Sequence, residues 1–104
     1  MNLLVVLSTF PDAAVARTAA ATLVGETLAA CVNIVPGVES IYRWQGKMET
    51  SQEVLAVIKT TAARYPALEK RLKELHPYEV PEIVALPASA VAESYLAWVT
   101  ANTQ

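Results

Sequence analysis

The chain has 104 residues, of which 54% are hydrophobic and 17% charged, with a net charge of −2. That length suits one domain, the charge lacks the basic footprint nucleic acid requires, and no apolar run approaches the ~18–20 residues of a spanning helix. The apolar fraction exceeds the ~45–50% usual for soluble domains, and a small domain has little interior to hide it in, so association between copies is expected.

Met1-Asn2-Leu3-Leu4 has no basic region or cleavage site of the secretory type. The lone cysteine, Cys31, cannot close an intrachain disulfide. A reducing cytoplasm is the expected setting. Asn2–Ser8 predicts a strand, with Leu3, Val5 and Leu7 on one face and Leu4 and Val6 on the other. Asp12 is placed to cap a helix from about Ala13 to Leu28. Its stripe is Ala16, Ala20, Leu23 and Thr27, and Gly25 marks a point of close backbone contact.

Cys31–Ile34 predicts a second strand, broken at Val35-Pro36-Gly37. A proline there implies an edge strand or a bulge. The strand resumes at Val38–Trp44, turns at Gln45-Gly46-Lys47 and returns over Met48–Thr60 as a long hairpin. Pro66 opens a second helix with Leu68, Leu72 and Leu75 inward, and Pro77 stops it at His76. Glu82–Leu86 forms a fourth strand closed by Pro87. Ala90–Thr100 forms a last helix with Val91, Tyr95 and Trp98 on one side. The fold class is α+β, a ferredoxin-like βαββαβ antiparallel sheet with an extra C-terminal helix. Two crossover helices cover one face of such a sheet, yet its first and third strands are apolar on both. Another copy, or in part the last helix, must cover the second face.

The stretch His76-Pro77-Tyr78-Glu79-Val80-Pro81-Glu82-Ile83 concentrates the polar chemistry. Two prolines stiffen it and bias His76 and Val80 toward extended backbone. His76 is the only histidine, and its imidazole with Glu79 and Glu82 could hold copper(II), zinc or another divalent metal. The plainer reading is a helix-end residue favoured by the macrodipole. Cys31, among alanines and valines, reads as a buried structural thiol. Lys59, in an apolar strand, could pair with Glu79 or Glu82 and line an intersubunit cleft, or reach the strand end and emerge into water. Tyr78 and Trp44 join that cleft, although packing roles suit both. No second histidine and no Gly-x-Ser-x-Gly turn is present, so no enzyme is expected.

Several stretches in order resemble the CutA family, named for divalent-cation tolerance. They are Leu28-Ala29-Ala30-Cys31-Val32-Asn33-Ile34 with Pro36-Gly37, Ser40-Ile41-Tyr42-Arg43-Trp44-Gln45-Gly46-Lys47, Ile58-Lys59-Thr60, the segment from His76 to Ile83, and Tyr95-Leu96-Ala97-Trp98. The resemblance spans the chain as a single domain, residues 1–104. It implies a homotrimer of PII-like design and a role in copper and other divalent-metal tolerance, with no further cofactor. Some members carry a cysteine at the position of Ser8 and a second histidine at that of Leu75, so soft-metal binding here is expected to be weak. Two alternatives stay open: a PII-like signalling trimer holding a small anionic ligand in the intersubunit cleft, or a structural trimer anchoring a partner protein. Gly25, Gly37 and Gly46 stand apart, so no glycine-rich phosphate loop supports the first.

Overall fold

The computed structural model describes residues 2–104, and Met1, the first residue read for an export signal, lies outside them. Seven elements follow in order: β1 Leu3–Phe10, α1 Ala13–Gly25, β2 Cys31–Trp44, β3 Lys47–Thr61, α2 Tyr65–Leu75, β4 Val84–Pro87 and α3 Glu93–Ala101. The strands form one antiparallel sheet in the order β2-β3-β1-β4. This is the ferredoxin-like arrangement with a third helix added.

Side-chain alternation decides which face each strand residue serves. Val6 and Phe10 of β1 join Val54, Ala56 and Ile58 of β3 beneath α1 and α2. Ala16, Ala19 and Leu23 cover them from α1, and Leu68 and Leu72 from α2. Small alanines let α1 lie close to the sheet, while the two leucines supply bulk. The opposite face carries Leu3, which packs with Ala30 and with Val99 of α3, Val5 and Leu96 alongside. The last helix thus shelters one end of the second face. Leu96 and Val99 turn inward, whereas Tyr95 and Trp98 share one side and stack on each other at 5.7 Å on the outside.

The end of α1 and the start of β4 differ from expectation. Asp12 caps α1 as read, its carboxylate accepting from the Val15 amide at 2.9 Å. The helix ends at Gly25, short of Leu28, because a Schellman turn closes it. There the Leu28 amide donates to the Leu23 carbonyl at 2.9 Å and the Thr27 amide to the Val24 carbonyl at 3.1 Å. Leu28 and Leu23 are both buried, supplying the apolar contact of that turn. Thr27 is left exposed with φ of 57°, so the buried stripe is Ala16, Ala19 and Leu23. Nothing approaches Gly25, which marks no close contact. Finally, β4 starts at Val84, leaving Glu82 and Ile83 in the connector before it.

β2 is an edge strand and shifts register between Val35 and Val38, so the expected bulge and edge position coincide at Pro36-Gly37. Gly37 takes the positive φ of 78° needed there. Trp44 pairs with Lys47 across Gln45 and Gly46, both at positive φ, the backbone of a type I′ hairpin. β1 pairs with β3 only up to Phe10–Val54, so the hairpin projects beyond the rest of the sheet. Among the described residues no helix is long and apolar enough to cross a membrane.

Candidate functional site

The connector 76–83 is pinned at its start by its own histidine. Pro77 ends α2, and His76 leaves it in extended backbone at φ −81°, ψ 133°. The ring turns back over β1. Nε2–H donates to the Thr9 carbonyl at 2.8 Å, leaving Nδ1 to accept from the Tyr78 amide at 3.2 Å. This is one neutral tautomer with both nitrogens used. The ring also stacks on Phe10, centroids 4.4 Å apart and 19° between planes. Burial lowers its pKa, opposed by the Thr9 bond and the charge of Glu53. A metal reaches His76 only by displacing one of these partners, and Nδ1 holds the longer bond.

Tyr78 makes the second pin. Its ring lies 4.8 Å from that of His76, and its hydroxyl donates to Glu53 Oε2 at 2.6 Å. Burial raises the phenol pKa well above its ordinary value, and the Glu53 carboxylate raises it further. Glu53 is the first residue of β3 beyond the pairing with β1, and it is only 9% exposed. Between the projecting hairpin and the connector opens a cleft of about 630 Å³. Tyr42 and Trp44 wall it on one side, Tyr78, Glu79 and Glu82 on the other, with Glu53 between. The Tyr42 hydroxyl is tied to Ser51 Oγ at 2.8 Å. Among the described residues no basic side chain lines the cleft.

The fold thus gathers Trp44, Tyr78, Glu79 and Glu82 in one place, with His76 behind the wall. Lys59 is elsewhere. Its neighbours across the ladders are Val5 and Cys31, and its ammonium donates to Asn33 Oδ1. Strand alternation sends it to the face turned away from α1 and α2, so within one copy it pairs with neither Glu79 nor Glu82 and does not line this cleft. Cys31 is half-buried, not enclosed, because it starts an edge strand beside the last helix. Glu53 is the site residue that sequence reasoning missed. A carboxylate opening the apolar run Val54–Ile58 was the visible signal, and only the register revealed its partner. Among the described residues no three His, Cys, Asp or Glu side chains gather tightly enough to hold a metal ion.

A family model described as CutA1 divalent ion tolerance protein matches residues 4–102. The chain belongs to this family. A CutA1 relative, the divalent-cation tolerance protein CutA of Thermus thermophilus, is 58% identical over 99 residues, covering 95% of this chain and 96% of its own length. The solved structure of CutA from Xylella fastidiosa matches with a TM-score of 0.97 at 42% identity, covering 100% of each chain. Another, described as the periplasmic divalent cation tolerance protein CutA from Archaeoglobus fulgidus, matches with a TM-score of 0.94 at 30% identity and 100% coverage of each. The CutA1 description names ion tolerance and no reaction. In this CutA1 chain Ser8 is fully buried, its hydroxyl without a partner among the described residues, and Leu75 packs against the main core.

Proposed function

We propose that this chain works in divalent-cation tolerance and binds a divalent ion weakly beside the connector. Glu79 and Glu82 supply oxygen donors, and His76 Nδ1 a nitrogen donor. One observation carries this reading: a cleft lined by carboxylates with no basic side chain among the described residues, in a chain whose relatives are named for cation tolerance. Weakness has two physical sources. Nδ1 must release the Tyr78 amide before it can ligate, and one copy offers no third ready donor group among the described residues. Imidazole with carboxylates suits copper(II) or zinc better than magnesium.

The working unit in this reading is a homotrimer, three being the number the resemblance implies. Its support is the apolar surface that one copy leaves in water: Ile41 at 65% and Met48 at 77% exposure on the hairpin, with Val84 and Leu86 on β4. The proposed setting is the cytoplasm, where Cys31 stays a free thiol. An anionic ligand in the same cleft would meet three carboxylates and no cation, so charge favours the metal reading.

Calorimetric titration of the full chain with copper(II), zinc and ATP tests this. A weak saturable isotherm with a metal, lost in the Glu79→Gln/Glu82→Gln variant, is the expected result. Heat from ATP alone, or metal binding untouched in that variant, would overturn it.

A further inference from the structure

We infer that the cleft between hairpin and connector is a binding site for a small organic cation, an amine or a guanidine. This goes beyond metal uptake and stands on different residues: Glu53, Tyr42, Trp44 and Tyr78. The first observation is the unmet charge of Glu53. At 9% exposure the residue is largely buried, and none of the ion pairs among the described residues includes it. Tyr78 satisfies Oε2, while Oε1 receives no hydrogen bond from the described residues and stays open to solvent. A withdrawn carboxylate without a countercharge is costly unless something supplies one.

The second observation is the shape and chemistry of what faces it. At about 630 Å³ the space lies within the range of small-molecule sites and far exceeds a bare ion. Tyr42, Trp44 and Tyr78 present three aromatic rings to the same space, with Glu79 and Glu82 at the connector side. Aromatic faces attract ammonium and guanidinium groups through the ring quadrupole, and a carboxylate adds charge-assisted hydrogen bonds. The walls are held in advance. Tyr78 is fixed by Glu53 and the connector by His76, and the Tyr42 hydroxyl is tied to Ser51. Little ordering is therefore left for the ligand to bring about.

Titration of the full chain with spermidine and with tetramethylammonium, at constant ionic strength, tests the inference by calorimetry and by Trp44 emission in a Trp98→Phe background. Saturable binding of at least one probe is expected. Glu53→Gln keeps the size and the hydrogen-bond acceptor while removing the charge, and it should weaken binding about tenfold. Trp44→Leu, at a 41% exposed position, should weaken it without threatening the fold. Circular dichroism verifies that both variants are folded. No saturable binding of either probe overturns the inference. So does a Glu53→Gln variant that changes the sedimenting mass while neither probe binds wild type, which would assign the countercharge to another copy. Zinc binding lost in Glu79→Gln/Glu82→Gln would leave the tolerance reading standing in either case.

Discussion

The inner and outer halves of the β2–β3 ladder, separated by the register shift at Pro36-Gly37, live in different surroundings. In the inner half Val54, Ala56 and Ile58 lie beneath α1 and α2, almost removed from water. In the outer half Ile41, Tyr42, Trp44 and Met48 are just as apolar, yet all are exposed. Ladder hydrogen bonds run through both halves, so they do not explain the difference; helices do. A strand is sheltered by what lies across it, and the outer hairpin has only the connector on one side. That single contact makes a cleft where the inner half has a core.

Substitutions sharpen this contrast in order of size. Leu72→Ala, fully buried over the inner half, should cost about 2–5 kcal/mol in denaturant unfolding. Ile41→Ser should leave the fold of one copy intact and lower the sedimenting mass instead. Equal losses of folding stability at both positions would break the comparison. Tyr78→Phe removes the donor to the withdrawn Glu53 carboxylate. It should cost about 1–3 kcal/mol, measured by thermal or urea melts, and a neutral result would detach the connector from the hairpin. The smallest effect lies outside both halves. Thr27 holds a left-handed backbone that disfavours a β-branched residue, so Thr27→Gly should stabilise by roughly 0.5–1 kcal/mol. A destabilised variant would refute the strain assigned there.

What could be read from the sequence was what neighbouring residues determine. Pro36-Gly37 announced an edge or a bulge and β2 has both, Pro77 stopped α2 at His76, and Asp12 capped α1. The misreadings share the opposite character. The end of α1 depends on Leu28 folding back onto Leu23, a contact that helical periodicity does not encode. Lys59 and Asn33 meet through the β2–β3 register, 26 positions apart. Glu53 and Tyr78 meet across 25 positions, one on a strand and one on the connector. The connector itself was legible as stiff and polar. Its anchoring, with His76 turned back to the Thr9 carbonyl, required the tertiary structure.

The central claim is that His76 is a neutral post fixing the connector that walls the cleft. Its pKa is lowered by burial, so the folded state binds its proton less readily than the unfolded chain. This contribution to stability is complete above the ordinary histidine pKa of about 6.5 and is lost as pH falls through the folded value. Long-range nitrogen–proton NMR of the imidazole during a pH titration tests the post directly. The account predicts an Nε2–H tautomer that stays neutral below pH ~6.5 and whose eventual protonation coincides with loss of the Tyr78 contact. A ring already protonated at that pH, or carrying its proton on Nδ1, would contradict it.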